Sequence, residues 1–96
     1  MQVNLYATFR LLAGQKSFEV HLPPGATAAQ AAECIVERYP VLREHWLDEQ
    51  GELHAHVLLF INGHEARTLP EGLNTPLHPA DVLDFFPPVA GGSNPS

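Results

Sequence analysis

Three of the six histidines in this 96-residue sequence lie close enough together to suggest a metal site. His54 and His56 fall on one face of a predicted strand, and His64 follows across a predicted hairpin. Zinc requires three or four donors, however, and no cysteine or carboxylate clusters with these histidines. We therefore predict that the chain binds no metal and that the imidazoles lie on a solvated face or are held by hydrogen bonds.

The sequence offers equally little for nucleophilic or acid–base catalysis. Cys34 falls between the two faces of a predicted helix, where a small packing residue is expected rather than a reactive thiol. Asp81 and Asp84 lack the spacing and context of a general acid–base pair, and Asp81 is predicted to support the turn before the last strand. We therefore expect the chain not to be an enzyme and to bind no cofactor of its own.

The end of the chain, residues 81–96, reads DVLDFFPPVAGGSNPS and has a different chemical character. Strand alternation requires one of the two phenylalanines to leave the covered face, and we predict that Phe86 points outward. The double proline stiffens the base of the tail and lowers the entropy lost when a partner binds it. The two glycines lack Cβ atoms, so this backbone can pass through a narrow channel. The stretch after the last strand is therefore predicted to be mobile and extended.

The composition of the chain indicates which kinds of partner it binds and in which compartment it is found. Eleven acidic residues against five basic ones give a formal net charge of −6, which disfavours nucleic acid and favours steering toward a basic docking patch. The N-terminus lacks the features of a secretory signal, and no apolar run approaches the roughly 20 residues that span a bilayer. A lone cysteine fits a reducing compartment, so we predict a cytoplasmic protein with no membrane or nucleic-acid partner.

The first half of the chain predicts two strands and a helix. Residues 2–9 and 17–22 alternate apolar and polar side chains, and a glycine-containing link predicts that they form a hairpin. Thr27 is a predicted N-cap, and the residues after it carry an apolar stripe at three- and four-residue spacing. Pro40 disfavours helical geometry at the preceding residue, so the helix should end near residue 39.

The second half predicts three more strands. Residues 54–61 form an apolar run that ends in Asn62-Gly63, the sequence preferred by a tight type I′ turn. Residues 41–47 are predicted to form a short helical turn over a sheet edge, and residues 48–52 an exposed turn. A return strand follows at residues 64–68, then an irregular segment at residues 69–79 and a last strand at residues 81–86. We therefore predict an α+β domain over residues 1–88 and a flexible tail over residues 89–96.

This order of elements, closed by FFPPVAGG, resembles the MoaD/ThiS-like family of ubiquitin-like β-grasp sulfur carriers. The family includes the small subunit of molybdopterin synthase and the sulfur carrier of the thiamine pathway. The likeness covers nearly the whole chain and is most specific over residues 77–92. It implies a mixed sheet of about five strands, with adjacent, parallel first and last strands and one main helix across one face.

The resemblance also implies a mechanism and a set of site residues. An E1-like adenylating enzyme would use ATP to activate the Gly92 carboxylate, and sulfide or persulfide sulfur would displace the nucleotide to leave a thiocarboxylate. A second enzyme, such as one like the large subunit of molybdopterin synthase, would take the sulfur for molybdopterin, a thiazole, an amino acid, a siderophore or tRNA. The reactive residues would be Gly91 and Gly92, and the partner contacts Phe86, Pro87, Pro88, Val89 and Ala90.

The sequence departs from the family pattern after the second glycine. In the standard pattern the chain ends there, whereas here residues 93–96 follow and hold the Gly92 carboxyl in a peptide bond. Three explanations are open. A protease removes SNPS before activation, or the four residues are foreign to the native chain, or the domain acts by non-covalent binding and keeps the tail permanently. We favour removal. A ubiquitin-like modifier joined to other proteins through Gly92 is the further alternative.

Overall fold

The computed structural model describes residues 1–88, so the predictions for residues 89–96 lie outside the described residues. Five strands and three α-helices follow one another with short 3-10 turns between them. In chain order they are β1 (Gln2–Leu5), α1 (Ala7–Ala13), β2 (Ser17–Glu19), α2 (Ala28–Arg38), α3 (Arg43–Trp46), β3 (Leu58–Ile61), β4 (His64–Glu65) and β5 (Val82–Phe86). No helix within residues 1–88 is long and apolar enough to cross a membrane.

The strands form one mixed sheet in the order β2-β1-β5-β3-β4. β1 and β5 are parallel, with Val3 opposite Leu83, and the other three pairs are antiparallel. The last strand therefore lies at the centre of the sheet, between the first strand and β3. This arrangement confirms the predicted ubiquitin-like β-grasp fold, including the adjacent, parallel first and last strands.

Helix α2 covers one face of the sheet, as predicted. Thr27 caps it through a reciprocal pair of hydrogen bonds: the Thr27 hydroxyl accepts from the Gln30 N–H, and the Gln30 side chain accepts from the Thr27 N–H. The helix ends before Pro40, also as predicted. Its apolar stripe is buried in the core, and the fully or almost fully buried members are Ala28, Ala31, Ala32, Ile35 and Val36.

The predicted strand over residues 2–9 is too long, and the predicted short link to the second strand is wrong, because β1 ends at Leu5 and a helix follows. Ala7 has a φ of 53°, which turns the chain away from the sheet, and α1 then runs to Gly14. Gly14 ends the helix in the left-handed region, with its N–H donating to the Arg10 carbonyl. The helix carries Phe9 into the core against Trp46, with 5.5 Å between ring centroids. β1 and β2 still pair antiparallel.

The predicted strand over residues 54–61 is half as long as expected. Residues 54–57 form a turn in which the Val57 N–H donates to the His54 carbonyl, and β3 begins only at Leu58. The type I′ turn is confirmed, since Asn62 and Gly63 both have positive φ, 52° and 85°. The return strand is also shorter than predicted, because β4 contains two residues and a 3-10 turn over Ala66–Thr68 replaces the rest.

The predicted helical turn at residues 41–47 is confirmed as a 3-10 turn followed by α3, but it does not cover a sheet edge. Trp46 is fully buried and stacks on Phe85 of the central strand, with ring centroids 4.2 Å apart and planes inclined by 17°. The centre of the core is therefore this aromatic pair. The irregular segment at residues 69–79 is confirmed, and Leu77 within it is buried.

Candidate functional site

The side chains of β5 alternate between the two faces of the sheet, as predicted. Leu83 and Phe85 are fully buried on the face that the helices cover. Asp84 and Phe86 lie on the other face and are half-buried. The prediction that Phe86 points outward is therefore confirmed, and this places an aromatic ring directly before the double proline.

Phe86 does not stand alone on that face. The Tyr6 ring stacks on it, with centroids 4.2 Å apart and planes inclined by 12°. The Phe60 ring meets it edge-on, at 5.6 Å and 80°. We call these three rings the aromatic cluster. Because stacked and edge-on contacts both stabilise ring pairs, the cluster holds Phe86 in one orientation at the last residue of the sheet.

A polar network fixes Tyr6 in this position. Its hydroxyl donates to Asp84 Oδ1 at 3.2 Å, and Asn4 Nδ2 donates to the same oxygen at 2.8 Å. Desolvation of the ring raises the pKa of Tyr6 above its ordinary value of 10.0, and the negative charge of Asp84 and the hydrogen bond to it raise the pKa further. The hydroxyl is therefore protonated at neutral pH and acts as a donor.

The backbone also anchors the start of the tail. The Tyr6 N–H donates to the Phe85 carbonyl at 3.2 Å, which continues the pairing of β1 and β5 almost to the end of the strand. Pro87 is half-buried and Pro88 is exposed. Val89 to Gly92, the predicted contact and reactive residues of the tail, lie outside the described residues. The double proline, the last described part of the chain, thus directly follows the aromatic cluster.

Sequence reasoning missed Tyr6 and Phe60 as members of this site. Tyr6 enters the predictions only as part of the alternating strand over residues 2–9, and Phe60 only as part of the apolar run over residues 54–61. The signal that could have found Tyr6 is the implied parallel pairing of the first and last strands. In that pairing Leu5 lies opposite Phe85. The next residues on the two strands, Tyr6 and Phe86, are therefore neighbours as well.

The histidines do not form a metal site within the part of the chain that the structure describes. His54 and His56 stack face to face with ring centroids 4.7 Å apart, in a turn rather than on the predicted strand. No group of three or more potential ligands occurs among residues 1–88. Asp81 has a structural role, as predicted, because its carboxylate accepts hydrogen bonds from the Asn62 side chain and the His78 N–H.

Comparison with known proteins agrees with this geometry. The ThiS family model matches residues 3–92. Small archaeal modifier protein 3 of Haloferax volcanii is 36% identical over 92 residues, which covers 96% of this chain and 98% of that protein.

Solved structures give the same result. A crystal structure of SAMP1 from Haloferax volcanii superposes with a TM-score of 0.85 at 30% identity, covering 95% of this chain and 97% of that one. A Pyrococcus furiosus structure, described as subunit 1 of a molybdopterin converting factor, has a TM-score of 0.71 at 30% identity and covers 92% and 95% of the two chains.

The fold and these relatives define a small ubiquitin-like β-grasp protein of the sulfur-carrier class. The chain belongs to the ThiS family of ubiquitin-like sulfur carriers. The relatives are small carrier or modifier proteins rather than enzymes, in agreement with the expectation drawn from the sequence.

Proposed function

We propose that this protein carries sulfur as a thiocarboxylate on Gly92, formed after a protease removes residues 93–96. In the adenylation step, a carboxylate oxygen of Gly92 attacks the α-phosphate of ATP and pyrophosphate leaves. Sulfide or persulfide sulfur, supplied by a donor, then attacks the acyl carbon and AMP leaves. A reductant or thiol of the donor system completes the persulfide route by cleaving the sulfur–sulfur bond.

The observation that carries this proposal is the junction between β5 and the tail. Phe86, the last residue of the central strand, lies on the uncovered face of the sheet, and Pro-Pro-Val-Ala-Gly-Gly follows it directly. The family match runs through Gly92, the residue after which the four-residue extension begins. Both facts support Gly92 as the functional end of the chain.

The domain contributes positioning to this chemistry. The aromatic cluster holds the exit of the tail at one place on the sheet, so a partner that binds the sheet face receives the tail in a defined direction. The double proline limits the conformations of the tail's base before binding, which lowers the entropy cost of threading. The catalytic groups that act on Gly92 belong to the partner enzymes.

Three partners follow from this function. An E1-like adenylating enzyme binds the carrier with ATP, which this chain itself does not hold. A sulfur-accepting enzyme, such as one resembling the large subunit of molybdopterin synthase, receives the thiocarboxylate. A tail-processing protease acts before both. The identity of the final acceptor depends on the second enzyme, since any acceptor enzyme that admits the tail can use the same sulfur.

A second candidate function is conjugation to other proteins through Gly92. The observation in its favour is the 36% identity to a protein named as a modifier, over nearly the full length of both chains. It shares the adenylation step and differs in the acceptor, which would be a lysine amine instead of a sulfur-accepting enzyme.

The experiment compares three chains: the 96-residue protein, a chain that ends at Gly92, and a chain that ends at Gly91. Each is incubated with the E1-like enzyme of the same organism, ATP and sulfide, and its intact mass is measured. We expect one oxygen to be replaced by sulfur only in the chain that ends at Gly92. If that chain never gains the mass difference, the carrier function is refuted.

The same chains distinguish the second function, conjugation to proteins, from sulfur carriage. Expressed with an affinity tag in the native organism, a conjugating protein would give higher-mass species that disappear when Gly92 is deleted. We expect free carrier to dominate. Abundant lysine conjugates without any thiocarboxylate would support the modifier function in its place.

A further inference from the structure

An open groove with an apolar lining lies on the helix-covered side of the molecule, opposite the face of the sheet on which Phe86 lies. Its volume is about 640 Å³, and α2, the loop after α3 and the 3-10 turns between β4 and β5 bound it. Leu47 and Leu73 pack against the core but are only half-buried, so the groove exposes a flank of the core. The apolar residues that line it are Ala29, Ala32, Leu47, Leu53, Ala55 and Leu73.

Carboxylates surround this apolar lining. Two smaller grooves adjoin the first, and Leu47 lines all three, so they form one continuous surface, which we call the acidic groove. Its acidic residues are Glu33, Glu37, Glu44, Asp48, Glu49 and Glu52. More than half of the eleven acidic residues of the chain are therefore gathered around one apolar surface.

Two cations share the acidic groove and are too few to neutralise it. Arg43 lines one of the smaller grooves. Arg67 is half-buried, and its guanidinium donates to backbone carbonyls of the loop, those of Leu53, His54 and Val57. With six carboxylates against these two guanidinium groups, the acidic groove carries an excess of negative charge.

Helix α2 contributes a pair of like charges to the acidic groove. Glu33 and Glu37 lie one turn apart on its exposed side. Like charges at this spacing destabilise a helix, so local helix stability does not favour the pair. A cation of a partner placed beside the two carboxylates would relieve the repulsion.

The loop that carries the other carboxylates is held in one shape before any partner binds. Leu47 and Leu53 pair as a β-bridge at its two ends, and the Asp48 N–H donates to the Glu52 carbonyl at 2.8 Å. The Asp48 carboxylate accepts hydrogen bonds from the N–H groups of Gln50 and Glu52. Because the loop is ordered in advance, a partner that binds it loses little affinity to loop ordering.

We infer that the acidic groove binds a segment of another protein in which lysine or arginine side chains flank an apolar side chain. The apolar side chain packs on the exposed flank of the core, and the cations pair with carboxylates such as Glu33 and Glu52. Charge complementarity selects this occupant, because an acidic segment or a nucleic acid is repelled and a purely apolar segment leaves the carboxylates desolvated without partners. The acidic groove is thus the place on the fold for the basic partner surface that the net charge favours.

This inference goes beyond the proposed function, because it adds a second binding surface on the other side of the domain. A protein held in the acidic groove leaves Phe86 and the double proline accessible. The carrier can therefore bind two proteins at once, one through each side.

The test measures the affinity of the 96-residue protein for a short blocked peptide of alternating leucine and lysine by isothermal titration calorimetry. Two control peptides replace lysine by glutamate or leucine by serine. On the protein, E33K reverses one charge of the acidic groove, and E19K makes the same change in net charge at an exposed residue of β2 that does not line it. E33K does not threaten the fold, since the new charge is opposite to that of Glu37 one turn away.

We expect the leucine–lysine peptide to bind and both control peptides to bind at least about tenfold more weakly. E33K should weaken binding of the leucine–lysine peptide by about fivefold or more at low salt, and E19K by less than about twofold. The difference between the two variants should shrink at 0.1 M salt, where the screening length is about 10 Å. Peptide affinity should stay within about twofold when the carrier is bound to the E1-like enzyme of the same organism, because the two surfaces lie on opposite sides.

Four results would overturn the inference. Absence of saturable peptide binding, or equal affinities of E33K and E19K, would refute the docking surface. Equal binding of the serine-containing peptide would reduce the acidic groove to a site of counterion attraction. Self-association of the wild type that E33K abolishes, without peptide binding, would assign the surface to a second copy. Loss of peptide binding in the complex with the E1-like enzyme would refute simultaneous binding. A chain that binds the peptide as expected but never gains sulfur when trimmed to Gly92 refutes only the proposed function.

Discussion

The neighbouring residues Phe85 and Phe86 should respond to the same substitution in opposite ways. Phe85 is fully buried against Trp46, whereas Phe86 is half-buried on the outer face of the sheet. F85A should therefore destabilise the fold and F86A should impair partner binding. The pair forms a matched experiment, because the two residues are identical in type and adjacent on one strand.

The expected changes in the free energy of unfolding follow from the burial of each side chain. Truncating a fully buried phenylalanine costs about 3–5 kcal/mol in the free energy of unfolding. For F86A the lost stacking on Tyr6 costs about 0.5–1.5 kcal/mol, and partial loss of burial brings the total to about 1–2 kcal/mol. Since a small domain is stable by only about 5–15 kcal/mol, F85A should remove a large share of the stability while F86A leaves the domain folded.

Denaturant unfolding followed by tryptophan fluorescence measures both variants, because Trp46 is the single tryptophan and stacks directly on Phe85. The affinity for the adenylating enzyme is then measured on F86A, where we expect a loss of about tenfold or more. Equal destabilisation by the two substitutions would refute the division of the strand into two faces. Unchanged affinity of F86A would refute its role as a partner contact.

Three further predictions concern the fold that supports the site. T27A should lower the free energy of unfolding by about 1 kcal/mol in denaturant titration, since it removes the helix cap, and an unchanged value would mean that the cap contributes nothing. G63A should cost about 1–2 kcal/mol in the same assay, because φ is 85° at Gly63, and a neutral result would argue against the type I′ turn. Because the pKa of Tyr6 is raised in the folded protein, its stabilising effect is fully present below the unfolded value of 10.0 and is lost as pH rises through the folded pKa. The stability of wild type relative to Y6F should therefore decline in alkaline solution, and a difference that does not change with pH would contradict this.

Local signals in the sequence predicted the elements that local physics decides. The helix cap at Thr27, the helix stop before Pro40 and the turn at Asn62-Gly63 all depend on residues within a few positions of one another, and all three are confirmed. The alternation within β5 also predicted correctly which phenylalanine enters the core.

The errors arose where long-range packing decides. Residues 2–9 alternate like one strand, but the helix from Ala7 lets Phe9 reach Trp46, a residue 37 positions later in the chain. The aromatic cluster was missed for the same reason. Tyr6 and Phe60 meet Phe86 only because strands distant in sequence are neighbours in the sheet, which single-strand periodicity does not reveal.

The most direct test of the central claim is the intact mass of the protein isolated from its native cells. The account predicts a chain that ends at Gly92, as carboxylate or thiocarboxylate, with residues 93–96 removed. A native protein that retains all 96 residues would contradict the account, because the Gly92 carboxyl would then remain in a peptide bond and could not be adenylated.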